Sequence, residues 1–263
     1  PETAAEVAAR AVACGLALQR LVGAQQDPLL GPVWLKVAVD AGPIWVADVG
    51  LGAAQRHLHA AGPILEAMPE LGTLAEPGEV AIPLPLGERI GKAVTGTARG
   101  DALIVSGVAL PSRPLPPPRP APGSEQHVAP STLSLAAAGD ARWTAEFRTA
   151  SILFLAVEGF HADHPDAAAR LDAVLSGIGT QVEATGGVVN EVINDDKGLT
   201  IVAAWGLATN THEDDAARGV VTALAARQGV LDQGLGCGAG LATGQVFAGL
   251  IGTEAYRQYT IVG

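Results

Sequence analysis

Three carboxylates in the second half of the chain have the chemistry of metal ligands. Glu158 follows an apolar run, and Asp195 and Asp196 lie in the polar stretch NDDKG. Oxygen ligands of this kind suit Mg2+ when the fold brings them together. Aspartate is also an ordinary turn residue, and a turn between two strands is the simpler explanation of this stretch.

Two further stretches contain residue types found at functional sites. GFHADHPD supplies His161, Asp163, His164 and Asp166, but an aspartate that caps a helix explains most of this cluster without a metal. GCGAGLATG is rich in glycine, yet it lacks the Gly-Lys-Ser/Thr of a phosphate loop and the spacing GxGxxG. We therefore interpret the glycines as close packing between strands. No local pattern supports a Ser/His/Asp or Cys/His nucleophile.

The hydrophobic pattern that must position these residues predicts a ferredoxin-like domain in the second half of the chain. Strands are predicted at 150–157, 188–193, 199–205 and 235–241, and helices at 165–185 and 214–228. The order βαββαβ is that of the split-βαβ arrangement, an α+β fold. Its first and third strands are neighbours, which would bring Glu158 near the aspartates. Many functions occur on this fold, so the fold alone does not name one.

Composition limits the classes of partner. Of the 263 residues, 48% are hydrophobic and 16% are charged, which is enough to bury a large core. The net charge of -11 disfavours nucleic acid, because proteins that bind it neutralise phosphates with clustered Lys and Arg. No apolar stretch approaches the roughly 20 residues that span a bilayer, and no secretory signal opens the sequence. With Cys14 and Cys237 as the only cysteines, we expect a cytoplasmic protein without a nucleic-acid or membrane partner.

A proline-rich stretch divides the chain. Residues 111–122 read PSRPLPPPRPAP, and an Ala/Ser/Pro-rich composition continues to about residue 143. Proline removes backbone donors and keeps a chain extended, so a semi-rigid linker is the favoured interpretation and an SH3-type ligand the alternative. The sequence therefore predicts a domain in 1–110, a linker in 111–143 and a domain in 144–263.

The two regions that flank the linker contain copies of one segment. Moving 39–50 by 202 positions aligns it with 241–252, with the same turn glycines between the same apolar positions. Upstream, AARAV at 8–12 matches AARGV at 216–220. We therefore expect a duplicated domain, and we expect the chain to hold the rear part of one copy and the front part of the other.

Five motifs follow one another in the second region. They are ASILFLAVEGF (150–160), GGVVNEVINDDKGLTIVAAWG (186–206), HEDDAARGV (212–220), AGLATGQVFAGLIG (239–252) and YRQYTIVG (256–263). In this order they resemble the catalytic domains of class III adenylyl/guanylyl cyclases, and most of all the second domain of the tandem soluble, bicarbonate-responsive adenylyl cyclases. The resemblance implies ferredoxin-like (βαββαβ) nucleotide cyclase domains in tandem, both incomplete in this chain.

The resemblance also implies an activity. A class III adenylate cyclase, a phosphorus-oxygen lyase, converts ATP to 3',5'-cyclic AMP and pyrophosphate with Mg2+ or Mn2+ at a site between paired domains. Ala156 and Leu199 stand at the positions of the family's metal-binding aspartates. The family's transition-state Asn and Arg follow the YTIVG motif and would lie after Gly263. We therefore expect no catalytic or metal-binding residue in this chain, intramolecular pairing of the two domains, and no activity of this piece alone.

The same resemblance assigns a purine site. Thr260 falls where the family's second domain contacts the edge of the base, and Val192, Asn194 and Ile261 fall at positions that line the base pocket. Glu191 replaces the family's purine-contacting Lys. A glutamate accepts hydrogen bonds where the lysine donates them, which leaves both ATP and GTP open.

Two other interpretations remain open. One is a catalytically silent pair of cyclase domains that serves as a regulatory nucleotide-binding or dimerisation module. The other is a ferredoxin-like interaction domain that binds no nucleotide. An Asn and an Arg shortly after Gly263, with two Asp before Pro1 in the parent protein, would favour catalysis.

Overall fold

The computed structural model describes residues 3–23, 26–27, 29, 31–53, 55–110, 119, 121–129, 132–133, 146–195, 198–207, 210–252 and 257–263. They belong to two compact units. The first unit comprises Pro1–Ile44 and Gly62–Pro118, and the second comprises Trp45–Ala61 and Arg119–Gly263. A segment of the first sequence region thus belongs to the second unit. The division into 1–110, 111–143 and 144–263 stays a prediction about the domains of the parent protein.

The helices and strands of both units are given in chain order. The described residues contain the helices α1 (Ala4–Gly23), α2 (Pro63–Leu74), α3 (Leu84–Ile90), α4 (Ala167–Ala184) and α5 (Asp215–Asp232). They contain the strands β1 (Gln26–Asp27), β2 (Gly31–Pro32), β3 (Val37–Ala38), β4 (Trp45–Gly50), β5 (Arg56–Ala61), β6 (Val80–Pro83), β7 (Val94–Arg99), β8 (Ala102–Val108), β9 (Glu146–Glu158), β10 (Val188–Asp195), β11 (Gly198–Trp205), β12 (Gly236–Gly252) and β13 (Arg257–Val262). None of the described helices is both long and apolar enough to span a membrane.

The first unit contains a four-stranded sheet with the order β3-β6-β8-β7. Strand β3 is parallel to β6, and β8 is antiparallel to both of its neighbours. Small and β-branched residues of α1, including Ala8 and Val12, pack in one cluster with Ile82 and Leu86. This arrangement does not test the expected tandem of two ferredoxin-like domains, which stays a prediction.

The second unit has the predicted βαββαβ order. Its elements run β9-α4-β10-β11-α5-β12, followed by β13. The sheet order is β10-β11-β9-β12-β13, and every pair of neighbours is antiparallel. The first strand therefore lies beside the third, as predicted. Strand β12 is longer than the predicted 235–241 because it pairs with β9 from Gly236 to Ala248.

Alternation along β9 gives the sheet two different faces. Leu153, Leu155 and Val157 are buried in the cluster that contains residues of α4 and α5. The intervening Ile152 and Phe154 therefore point away from the helices. We call the side opposite α4 and α5 the open face. A second cluster, which includes Ala150 and Val246, covers one part of it.

The glycine-rich run lies on β12, and our packing interpretation of it is wrong at three positions. Side chains built at Gly238, Gly240 and Gly244 would meet no atom within 4 Å. Gly238 and Gly240 pair with Ala156 and Phe154 of β9, so they belong to the open face. The glycines leave this part of the face free of side chains instead of bringing two strands together.

The segment Trp45–Ala61, which we call the first hairpin, packs against α4 within the second unit. Strands β4 and β5 pair from Trp45↔Ala61 to Gly50↔Arg56. The backbone N–H of Gly50 donates to Asp172 Oδ1 at 2.8 Å, and that of Ala53 donates to Glu183 Oε2 at 2.9 Å. The apolar residues Ala47, Val49 and Leu51 join the main core of the second unit.

The two copies of the repeat each form an antiparallel hairpin. In the first hairpin Gly50 pairs with Arg56, and in the second copy Gly252 pairs with Arg257. Ala47 pairs with His59 as Gly249 pairs with Thr260, so His59 occupies the place of Thr260 in the first copy. Both copies of the repeat thus form an antiparallel hairpin, and the duplication of a whole domain stays a prediction.

Candidate functional site

A cavity of about 330 Å3 opens on the open face of the second unit. Its apolar lining comes mainly from the middle of the sheet, and its polar lining from β10 and β12. The residues that line it are Ile152, Phe154, Asn190, Glu191, Ile193, Val202, Ala242, Thr243, Gly244, Gln245, Val246, Ile261 and Gly263. An apolar slot with a few polar groups at its edge is the usual form of a small-molecule site.

Two features of the fold form this cavity. The pairing of β10 with β11 shifts register between Val189 and Glu191, and this bulge changes which side chains reach the open face. Strands β10 and β13 are opposite edges of the sheet, yet Glu191 and Ile261 line the same cavity. The cavity therefore extends across all five strands of the sheet.

The structure places two of the five residues assigned to the purine site in this cavity, Glu191 and Ile261. Asn190, within the motif GGVVNEVINDDKGLTIVAAWG, lines it as well, but the resemblance did not assign it to the site. Thr243 and Gln245 also line it and were missed, because alternation along β12 places them on the face opposite Ala242 and Val246.

The other three assigned residues lie elsewhere. Val192 packs against the core on the helical side, and it lines a second cavity of about 300 Å3 together with Glu191. Thr260 alternates with Tyr259 and Ile261, which both belong to the open-face cluster, so its side chain points to the opposite side. Thr260 is half-buried and not sealed in the core. Asn194 lines neither of these cavities.

The part of the chain that the structure describes does not fit a metal ion. No group of three His, Cys, Asp or Glu side chains within it has the arrangement of a metal site. Ala156 and Leu199, at the positions of the family's aspartates, lie on the neighbouring strands β9 and β11, and neither has a ligating atom in its side chain. The side chains of Asp195 and Asp196, which we considered with Glu158, lie outside the described residues.

The cluster GFHADHPD contributes a helix N-cap. Asp166 is the N-cap residue of α4, although its side chain makes no capping hydrogen bond. The backbone N–H of Asp166 instead donates to His164 Nδ1 at 3.1 Å. Asp166 thus stands at the N-cap position, but the capping hydrogen bond expected from its carboxylate is absent.

The first hairpin carries a buried histidine, His59, and a half-buried one, His57, that no motif predicted. His59 is 2% exposed and lies between Trp45 and Phe160, at ring-centroid distances of 6.2 Å from each. The Nε2 atoms of His57 and His59 are buried without a hydrogen-bond partner. Burial, with the charge of His57 as a smaller cause, lowers the pKa of His59 to about 4. His59 is therefore neutral at physiological pH.

Three solved structures are similar to part of this chain. The adenylyl cyclase CyaB from P. aeruginosa is 18% identical, with a TM-score of 0.41, over 45% of this chain and 67% of that chain. The guanylyl cyclase Cya2 is 28% identical, with a TM-score of 0.37, over 46% of this chain and 66% of that chain. A bacterial light-regulated adenylyl cyclase is 18% identical, with a TM-score of 0.44, over 53% of this chain and 44% of that chain.

These similar structures are adenylyl and guanylyl cyclases, and this chain spans about two thirds of two of them and less than half of the third. No protein-family model and no curated protein matches the chain. The activity, substrates and partners of a whole cyclase are therefore proposals for this chain.

Proposed function

We propose that this chain is part of a class III nucleotide cyclase that, when complete, converts ATP to 3',5'-cyclic AMP and pyrophosphate. The observation that carries the proposal is the cavity on the open face, which contains Glu191 and Ile261. The cyclase-like motifs assign both residues to the purine site. The five motifs and the βαββαβ order support the same assignment.

The cavity has the properties that a purine base requires. Its volume of about 330 Å3 lies at the lower end of the roughly 300–1,000 Å3 usual for small-molecule sites. Ile152, Ile193 and Ile261 offer apolar contact to the faces of a ring, while Asn190 and Glu191 offer polar groups to its edge. We assign this chain the task of binding and orienting the base.

The reaction requires more than this chain provides. The ribose 3'-hydroxyl gives up its proton and its oxygen attacks the α-phosphorus, the bond from the α-phosphorus to the oxygen bridging it to the β-phosphate breaks, and pyrophosphate leaves. In the complete enzyme we propose Mg2+ or Mn2+, held by residues outside this chain. We also propose that the site is completed by intramolecular pairing of two cyclase domains. The packing of the first hairpin, a segment of the first copy, on α4 of the second copy supports such pairing.

We expect the 263-residue chain alone to have no cyclase activity. The expected reason is that neither the metal-binding aspartates nor the transition-state Asn and Arg are among its residues, and electrostatic stabilisation of the transition state usually contributes most to catalysis. A sensitive cAMP and cGMP assay with Mg2+ and with Mn2+ tests this expectation. Metal-dependent product from the isolated chain would contradict it.

Glu191 gives a specific reason to consider GTP as a second candidate substrate. A carboxylate only accepts hydrogen bonds, and guanine presents two adjacent donors, its ring N–H and its amino group, to such an acceptor. Adenine presents one donor beside an acceptor at the corresponding edge. The side chain of Glu191 lines the cavity and is exposed, so it is free to meet a base.

Substitution of Glu191 tests the base site directly. We expect Glu191→Lys to shift the ratio of ATP to GTP affinity toward ATP by about tenfold, the effect of one hydrogen bond to a charged group. Titration calorimetry of the full chain with each nucleotide measures the ratio. Glu213→Lys makes the same charge change at an exposed position of the second unit and is the matched control. An unchanged ratio in Glu191→Lys would remove Glu191 from the base site.

The same titrations distinguish the remaining alternatives. Nucleotide binding by a parent protein that lacks the Asn, the Arg and the two Asp would favour a catalytically silent regulatory or dimerisation module. Failure of the complete parent protein to bind ATP or GTP would favour an interaction domain without a nucleotide.

A further inference from the structure

Arg148 is a half-buried cation that belongs to none of the five motifs and is not among the residues that line the cavity. It lies on β9 two residues before Ala150 and four before Ile152, so all three share the open face. Its direct cross-strand partner on β12 is Val246. Val246 and Ile152 both line the open-face cavity. The backbone of Arg148 therefore lies directly beside a residue of the cavity wall.

Two of the three guanidinium nitrogens of Arg148 lack a hydrogen-bond acceptor. Its Nε and Nη1 atoms are buried and have no hydrogen-bond partner. Glu146 Oε1 lies 3.4 Å from Nε, longer than the roughly 2.7–2.9 Å of a charge-assisted hydrogen bond. Buried donors without acceptors are uncommon in native proteins, and each calls for an explanation such as a bound ligand, an ordered water or an ion.

The neighbouring residue Tyr259 shows on which side of the sheet the charge of Arg148 lies. Burial raises the pKa of the Tyr259 phenol, the Arg148 charge opposes the rise, and the Glu146 charge adds to it. Tyr259 packs in the open-face cluster with Ile261, a residue of the cavity lining. The guanidinium therefore acts on the same side of the sheet as the cavity.

We propose that Arg148 binds an oxyanion of the molecule whose ring occupies the open-face cavity, and that this oxyanion is a phosphate of a nucleotide. The planar fork of a guanidinium matches two oxygens of a phosphate. The cavity itself has apolar walls and the hydrogen-bond acceptor Glu191, which suit an uncharged ring and not a phosphate. A ligand with an uncharged ring at one end and phosphates at the other satisfies both. The proposal rests on the proposed function and adds the anchor for the charged end.

Three probes and two variants test this assignment on the full chain. ATP carries ring and phosphates, adenosine carries the ring alone, and inorganic tripolyphosphate carries the phosphates alone. We expect the wild type to bind ATP at least about tenfold more tightly than adenosine. Arg148→Gln should weaken ATP and tripolyphosphate about tenfold and leave adenosine unchanged. Glu146→Gln, which removes the competing carboxylate, should tighten ATP a few-fold.

Arg170→Gln is the matched control. Arg170 lies on α4, on the other side of the sheet, where its Nη2 donates to the backbone oxygen of Gln233. We expect this variant to bind all three probes like the wild type. Circular dichroism of each variant establishes whether it is folded. If Arg148→Gln is unfolded, Glu146→Gln decides the test. Failure of Glu146→Gln to bind ATP more tightly than the wild type would then overturn the proposal.

The outcomes separate this proposal from the function on which it rests. Equal ATP binding by the wild type and Arg148→Gln overturns the phosphate contact and leaves the base site standing if adenosine still binds. Equal losses for ATP and adenosine indicate a structural role of Arg148 and overturn it as well. Arg148-dependent binding of tripolyphosphate without any binding of adenosine supports the oxyanion site and contradicts the base site.

Discussion

Acidification from about pH 7.5 to pH 4 is expected to destabilise the second unit by about 3 kcal/mol through His59 alone. The pKa of His59 is lowered from 6.5 to about 4 in the folded protein, chiefly by burial, and each pKa unit corresponds to about 1.4 kcal/mol. Between these two pKa values, His59 binds a proton in the unfolded chain but not in the folded chain. This contribution to stability is fully present above about pH 6.5 and is lost as the pH falls toward 4.

Substitution of His59 isolates this contribution. Guanidinium unfolding of the wild type and of His59→Leu, followed by tryptophan fluorescence at several pH values, should show the wild type losing about 3 kcal/mol more stability than the variant between pH 7.5 and pH 4. Leucine is apolar, so it removes the orphaned Nε2 together with the titration. His161→Gln alters an exposed histidine of the same unit and should keep the wild-type profile. Identical pH profiles for the wild type and His59→Leu would show that His59 is not buried as described.

Gly179→Leu is expected to detach the first hairpin from α4 and to lower the free energy of unfolding by about 3 kcal/mol. A Cβ at Gly179 would meet the backbone of Leu51 and Gly52, with the Leu51 carbonyl carbon at 2.6 Å. Backbone atoms cannot rotate away as a side chain does, so the cost lies at the upper end of the roughly 1–3 kcal/mol typical of overpacking.

A glycine two residues earlier provides the matched control. Gly177 lies on the same helix, and a Cβ there would meet no atom within 4 Å. Gly177→Leu should therefore stabilise the helix by up to about 1 kcal/mol. Trypsin reports on the hairpin itself, because Arg56 is held by Asp48 at 2.9 Å while the hairpin is intact. If cleavage after Arg56 is no faster in Gly179→Leu than in Gly177→Leu, the hairpin does not depend on this contact.

Local patterns predicted the sheet of the second unit because its central strand β9 alternates between buried and exposed side chains. Leu153, Leu155 and Val157 share one face in the sequence and share one core in the structure. The motif GGVVNEVINDDKGLTIVAAWG indicated a hairpin, and β10 and β11 pair with each other. Patterns of period two are set by residues a few positions apart, so they need no knowledge of the rest of the chain.

Features set by distant contacts were not predictable in this way. The membership of Trp45–Ala61 in the second unit depends on contacts far away along the chain, such as that of Gly50 with Asp172. The bulge between Val189 and Glu191 shifts the alternation of β10, so Val192 and Glu191 do not fall where a regular strand would place them. For the candidate site, this meant that Glu191 and Ile261 meet in one cavity while Thr260 lies on the other side.

One titration tests the central claim, that the open-face cavity holds the base of a nucleotide. Ala242 lines the cavity and is exposed, so Ala242→Phe fills the cavity without disturbing the core. Ala168→Phe places the same ring at an exposed position on α4. Calorimetry of the full chain with ATP and GTP should detect binding in the wild type and in Ala168→Phe, and at least about a tenfold loss in Ala242→Phe. Unchanged binding in Ala242→Phe, or no binding of either nucleotide by the wild type, would contradict the claim.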